Sequence, residues 1–584
     1  MARHSRVPGA LVAGAVVLAG AAGLFLRLWY FFHQSLGADD ATVGLMARQA
    51  LHGHFSAFFW AQDYGGAESY VVAIGFRLFG SSAWVLKATP IALFALATLL
   101  TYRVARRLTG SRLASSVAAG LVWVWPEAVV WDSTRELGFR NLTLCCGLGC
   151  LLLALGQAQD AGQGSARGGA LRLGAVGLLA GVGWWSSPEV VYFLVPAGLV
   201  LAGSALRRRE PLRRWAAQLV VLATGAGLGA MVWIWGSVNN GFGSLDLSTN
   251  SGGPPSSYLG RLGIFFRESL PLLFGLRLPV MVGWRRTADV AWIVPRPIGV
   301  LAYALALLGV AVALGLAWRR RATVRAVAVS VVAFPFLYCV SASTSGGTDG
   351  RFGIYLIPLL ALLLVAASGG RPRPRPEARH MRRGDQDRWR PVVLASLVAL
   401  GVGTSLASFV EIEGGAGVVP GPFSRWGDPN APLVTAVDKL RSLGITVVVA
   451  DYWEAGDLAF VGGGRPATVS VDLVRDGAAN RAALHTAAHH AMALLCYPPD
   501  AVGRSTFVFG SATEGPGGLG EQSLEQRLTR MGVGYTVHLL GVLDAVVPDR
   551  FVGPQELGIP AWLSTLPPAT SWTAWTSEHT PSSS

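Results

Sequence analysis

Charge is scarce in this 584-residue chain. Only 14% of its residues are Asp, Glu, Lys or Arg, against 52% apolar ones, where a soluble domain carries about 25% charged residues. That ratio excludes an ordinary water-soluble enzyme. It also excludes a mainly disordered chain, which needs low hydrophobicity. Lysine is nearly missing: Lys87 and Lys439 stand alone among 48 basic residues, a bias of coding composition rather than of function. Five cysteines are too few for a disulfide framework. Cys145, Cys146, Cys150 and Cys339 sit inside apolar runs and read as small buried thiols, and Cys496 is alone in a polar region. The sequence has no Gly-Lys-Ser/Thr phosphate loop, which argues against an ATP-driven pump, and no repeat of fixed period.

What is abundant is long apolar runs. Eleven stretches have the length and flanks of bilayer-spanning helices: 9–31, 84–102, 113–131, 141–156, 173–187, 188–206, 215–236, 299–318, 324–342, 352–368 and 391–410. The first follows a short basic start and ends on Trp29-Tyr30-Phe31, which favours a retained helix over a cleaved signal. With the N-terminus inside, the inner segments cover 71 positions and hold 25 of the 38 basic residues before residue 411. Basic residues concentrate on the cytoplasmic side of membrane proteins, so the count predicts a cytoplasmic N-terminus. It also predicts a multi-pass cell-membrane protein with residues 411–584 outside.

The chain divides accordingly. Residues 1–410 form the expected transmembrane domain, with a first outer loop over 33–83, and 371–390 an inner loop rich in Arg and Pro. Residues 411–567 carry more acid than base and read as an extracytoplasmic α/β domain. Leu433–Leu443 has helical spacing, and Ile445–Ala450 reads as a buried strand. A helix is expected over Ala478–Leu495 and a strand over Thr506–Phe509. Residues 568–584, rich in Thr, Ser and Pro, read as a disordered tail. The fold class is thus a polytopic α-helical membrane protein with a C-terminal α/β domain.

Acids are as unevenly placed as bases. Of the 17 before residue 411, 12 fall on the outer side or its boundary, among them Asp39, Asp40, Asp63, Glu68, Glu127, Asp132, Glu136, Glu189 and Asp349. A solvated outer loop accounts for most of them. Asp39-Asp40 stands a few residues past the aromatic end of the first span, where an adjacent acid pair is expected to supply one ionised general base near the interface.

Around that pair the chain reads Gly37-Ala38-Asp39-Asp40-Ala41-Thr42-Val43-Gly44, then Asp63-Tyr64-Gly65-Gly66-Ala67-Glu68-Ser69-Tyr70. This order resembles the first outer loop of the glycosyltransferase C superfamily, in the bacterial branch similar to protein O-mannosyltransferases and aminoarabinose transferases. Those families carry Asp-Glu where Asp39-Asp40 stands, and their Glu lies one place farther along than Glu68. Gly183-Trp184-Trp185-Ser186-Ser187-Pro188 resembles the family's Trp/Pro helix junction. Gly350-Arg351-Phe352 resembles a late Arg-Tyr/Phe motif. Asp451-Tyr452-Trp453-Glu454-Ala455 looks like a recurring segment of its C-terminal domains.

The resemblance implies sugar transfer from a polyprenyl-phosphate donor to a glycan, lipid or protein acceptor on the extracytoplasmic face, with inversion at the anomeric carbon. Asp39 matches the catalytic Asp that deprotonates the acceptor, with Asp40 beside it. Arg351 is the first candidate for the leaving phosphate, followed by Arg135 and Arg140, because a guanidinium grips phosphate oxygens bidentately. For Arg351 the competing reading is a pair with Asp349. Tyr64 and Glu68 are candidates to line the donor or acceptor site. Trp184 and Trp185 read as packing residues. His485, His489 and His490 lack the carboxylate of a zinc motif and read as a solvent face. No metal or cofactor is expected, with a divalent cation as the alternative seen in some superfamily members. Membrane lipids are expected partners, and nucleic acid is not. A transporter or flippase of a lipid-linked sugar is the second reading, and a non-catalytic family member the third.

Overall fold

The structure, a computed structural model, describes residues 7–60, 64–160, 166–239, 241–242, 245, 257–278, 292–341, 351–368, 386–413, 430–470, 491–496, 521–541, 543–553 and 556–558. Several expectations fall outside the described residues: most of the Arg-Pro loop, the strand at 506–509, the histidines at 485, 489 and 490, and the tail. Asp63, Asp349 and Gly350 fall outside as well.

Each of the eleven apolar runs forms a helix or a pair of helices. Six are long and apolar enough to cross a membrane unaided: Gly9–His33, Ala83–Thr109, Arg140–Asp160, Pro188–Arg207, Arg296–Trp318 and Trp389–Glu411. Leu212–Gly229 and Met231–Asn239, bent by 61°, make a seventh if taken as one span. Arg112–Val124, Ala322–Tyr338 and Leu356–Ser368 are shorter. The run expected as one span over 113–131 is broken. Its helix stops at Val124 because Trp125 precedes Pro126 and is held extended, and a separate helix, Glu127–Asp132, follows. Large apolar side chains stay open on the outer surfaces of the long helices, such as Val17 at 72% and Leu301 at 61%. Faces of this kind are at home against lipid.

Helix packing explains the glycine richness. A Cβ on Gly177 would lie 2.2 Å from the Leu222 carbonyl, and one on Gly181 would lie 2.1 Å from that of Ala226. Gly225 and Gly229 face back in the same way. The helices Ala166–Ser186 and Leu212–Gly229 therefore meet backbone to backbone along two Gly-x3-Gly stripes. Two of the buried cations among the described residues, Lys87 and Arg27, are tied to backbone. Lys87 donates to the carbonyls of Tyr30, Phe31 and Gln34 and so caps the first helix. Arg27 donates to the carbonyls of Gly23 and Trp123.

The C-terminal domain holds one five-stranded sheet in the order β2-β1-β3-β5-β4. The strands are β1 Val447–Ala450, β2 Ala467–Ser470, β3 Met492–Cys496, β4 Tyr535–Leu539 and β5 Asp544–Pro548. β1 pairs in parallel with β2 and β3, while β5 pairs antiparallel with β3 and β4. β1 is buried on both faces: Val447 and Val449 enter one core, Val448 and Ala450 the other. The helices Ala431–Ser442 and Tyr452–Val461 flank it in sequence. The helix expected over 478–495 is corrected at its end, where Met492–Cys496 is a fully buried strand. A short continuous apolar run does not distinguish strand from helix by periodicity.

Candidate active site

The first helix ends at His33, and a new one, Ala38–Leu51, starts within five residues. Asp39 and Asp40 occupy its first turn, where free N–H groups and the helix dipole favour negative charge. Both oxygens of Asp40 are engaged. Oδ2 accepts from the Gly37 N–H at 3.0 Å, and Oδ1 accepts from the Glu136 N–H. Burial raises the Asp40 pKa, the Arg135 charge pulls it back, and the Asp39 charge adds a smaller upward push. Arg135 lies 4.7 Å over the Trp131 ring. Its Nη2 approaches to 3.5 Å of where a Cβ on Gly37 would stand. Asp40 thus knits the Ala38–Leu51 helix to the 133–139 turn.

Asp39 is only half-buried. Its Oδ1 accepts a hydrogen bond from the Tyr452 hydroxyl, while Oδ2 has no hydrogen-bond partner among the described residues. Tyr452 belongs to the C-terminal domain, and its helix packs directly on Ala38–Leu51. Gly44 makes this possible, since a Cβ there would sit 2.4 Å from the Phe460 ring. Arg48 donates to the Phe460 carbonyl at 2.7 Å and lies 4.0 Å over its ring. Leu36 N–H donates to Asn430 Oδ1 at 3.0 Å. The same helix brings in Asp457, whose pKa is pushed well up by burial and by the Asp40 and Asp39 charges. Its Oδ1 is buried without a hydrogen-bond partner.

A second cluster is cationic. Arg140 opens the Arg140–Asp160 helix and pairs with Asp132 at 3.4 Å, both side chains being buried. Arg140 and Arg351 lie 5.5 and 5.4 Å from the Phe352 ring centroid, which gathers the two guanidiniums. Tyr64 packs edge-on against Phe139. Burial, together with the Glu189 charge, pushes its phenol up to about 12 against the pull of Arg351 and Arg140. Glu68 is 1% exposed, with Oε2 accepting from the Leu142 N–H at 3.5 Å. Burial lifts its pKa to about 7, opposed by the Leu142 N–H and Arg140. Glu136 is pushed up by burial and by Glu68. These two carboxyls brace the loop from inside. Trp185 donates to the Ala57 carbonyl at 2.6 Å and Trp184 packs on Trp233, so both are packing residues.

The structure therefore brings Asp39, Asp40 and Arg135 together. Arg140, Arg351 and Tyr64 form a second group, with Glu68 beneath the loop that joins the two. Sequence reasoning gave no role to Tyr452 or Asp457. The signal available was the segment Asp451-Tyr452-Trp453-Glu454-Ala455, whose partner lies 413 residues away. Among the described residues no group of three or more His, Cys, Asp or Glu side chains is arranged to hold a metal ion.

Residues 67–235 match the family model of dolichyl-phosphate-mannose-protein mannosyltransferase. That segment holds Glu68, Arg135 and Arg140 but begins after Asp39 and Asp40. No curated protein sequence matches the chain. Among solved structures, the chain is similar to ArnT from Cupriavidus metallidurans in the apo state. The TM-score is 0.54 and the identity 14%, covering 92% of this chain and 98% of that one. The same protein bound to undecaprenyl phosphate gives a TM-score of 0.56 at 14% identity over 91% and 98%. With its multiple apolar helices and C-terminal sheet, the chain thus shares the fold of ArnT over nine-tenths of its length, and residues 67–235 match the mannosyltransferase family model.

Proposed function

We propose that the protein transfers a sugar from a polyprenyl phosphate to an acceptor on the extracytoplasmic face, inverting the anomeric centre. The observation that carries this reading is Asp39: a carboxylate at a helix N-terminus, fixed through one oxygen by Tyr452 and open at the other. The undecaprenyl phosphate bound to a protein of the same fold supports the donor class.

In this reading Asp39 Oδ2 takes the proton of the acceptor hydroxyl as its oxygen attacks the anomeric carbon. The bond from that carbon to the donor phosphate breaks on the opposite side, and its electron pair leaves with the phosphate. Arg351 and Arg140, gathered around Phe352, hold the developing phosphate charge. Tyr452 and Asp40 are positioning residues, one for the base and the other for the helix that carries it. Tyr64, in the group with Arg140 and Arg351, lines the donor sugar.

Mass spectrometry of membrane lipids and surface glycans in a deletion strain tests the proposal. One prenyl-phosphate sugar accumulates, and one surface glycan loses that sugar. Unchanged lipid-linked sugars and glycans would overturn it.

A further inference from the structure

A second charged site lies at the other end of the helix bundle. The Ala83–Thr109 helix starts beside the catalytic loop, where Lys87 caps the first helix. Sixteen residues on, at about 1.5 Å each, Arg103 is roughly 24 Å away. Arg140–Asp160 runs the same way, with Arg140 in the site and Asp160 at the far end. There Arg103, Arg106, Arg107, Arg112 and Arg172 surround a cavity of about 1040 Å³.

Three of these guanidiniums build the wall. Arg107 and Arg172 clamp Asp160 from two sides, at 3.1 and 3.2 Å. Arg106 donates to the Gly110 carbonyl at 2.6 Å, closing the helix end. Asp160 therefore leaves the cavity strongly cationic. Arg103 and Arg112 are exposed and engage no hydrogen-bond or ion-pair partner among the described residues.

Apart from Tyr102, the rest of the lining is apolar. Leu99 and Leu100 stand one turn before Arg103 on the same helix, and Leu152 and Leu153 face them from Arg140–Asp160. Leu99 is 50% exposed, so the leucine strip continues onto the helix surface that meets lipid. Inorganic phosphate or a nucleotide would use the arginines and gain nothing from that strip. A ligand with an anionic head and hydrocarbon tails uses both.

We propose that this cavity binds an anionic phospholipid of the leaflet opposite the active site. Its phosphodiester is held by Arg103 and Arg112, and an acyl chain lies along Leu99 and Leu152. Guanidinium grips phosphate oxygens bidentately, and basic pockets between membrane helices recruit anionic headgroups. This assignment is independent of the proposed reaction, because none of its residues touches the carboxylate site.

Native mass spectrometry of the purified full-length protein in detergent tests it. The probes are phosphatidylglycerol, phosphatidylcholine with the same acyl chains, and inorganic phosphate. Phosphatidylglycerol is retained and phosphatidylcholine is not. The R103Q/R112Q double variant keeps the wild-type melting temperature without lipid and binds phosphatidylglycerol about tenfold more weakly or worse. An R319Q/R321Q variant, altered in another basic run, binds it as wild type does. Equal retention of the two phospholipids, or an unchanged double variant, would overturn the proposal. So would displacement of phosphatidylglycerol by millimolar inorganic phosphate, which marks a free-anion site.

Discussion

The Tyr452 hydroxyl donates a hydrogen bond to Asp39 Oδ1, joining the C-terminal domain to the Ala38–Leu51 helix across 413 residues of chain. The contact fixes one carboxylate oxygen and leaves the other without a hydrogen-bond partner among the described residues. A Tyr452→Phe variant removes only that hydroxyl. A hydrogen bond to a charged group is worth about 1.5–3 kcal/mol, so kcat is expected to fall roughly tenfold or more. KM for the acceptor stays near wild type, and the melting temperature falls by no more than the loss of one hydrogen bond accounts for. Steady-state transfer kinetics beside a thermal melt separate this from a folding defect, which would lower both.

Docking of the two domains rests on Gly44. With a ring carbon of Phe460 only 2.4 Å from the place of a Cβ, Gly44→Ala pushes the Tyr452–Val461 helix away from Ala38–Leu51. Hydrogen–deuterium exchange over 452–461 should quicken, and transfer activity should fall with it. Phe460→Ala empties the same contact from the other side. By the usual range for a buried Phe, it costs about 3–5 kcal/mol locally.

Arg140 and Arg351 are expected to separate in their effects. Arg140 is the buried partner of Asp132 at 3.4 Å, and breaking a buried pair on one side costs about 3–5 kcal/mol. Arg140→Gln therefore lowers both stability and activity. Arg351, at the mouth of the Leu356–Ser368 helix, is only partly buried. Arg351→Gln should raise donor KM with little change in melting temperature. Thermal melts and donor titrations on both variants check the split.

Glu68 sets a pH dependence. Its folded pKa is raised to about 7 from an ordinary value of 4.5, so the folded state favours the protonated acid. The stability it contributes is full below about pH 4.5 and is lost as pH rises through about 7. Glu136, raised by burial and by Glu68 itself, pushes in the same direction. Melting temperature should fall between pH 5 and pH 8, and Glu68→Gln should flatten that slope. A melting series in buffers of equal ionic strength measures it.

The helices were legible because lipid leaves no alternative. An apolar run with basic flanks has to satisfy its own backbone, and all eleven runs do so. The stop at Pro126 was also written locally, although the run's length hid it. Asp39 stood out in the sequence because an acid pair past an aromatic helix end is unusual. The division of labour within that pair did not, since it depends on the Glu136 N–H reaching Asp40 and on Tyr452 reaching Asp39. Neither contact leaves a periodic trace. The strand at Met492–Cys496 was misread for a related reason: burial on both faces erases the alternation that marks a strand.

Asp39→Asn offers the most direct measurement, because it keeps the side chain's shape and its contact with Tyr452 while removing the basic oxygen. Incubated with lipid extract from the deletion strain and with membranes as acceptor, wild-type protein should move sugar from the accumulated prenyl phosphate. The variant should bind the lipid normally and transfer at least about a hundredfold more slowly, the scale on which positioned acid–base groups act. Transfer by Asp39→Asn at the wild-type rate would contradict the account.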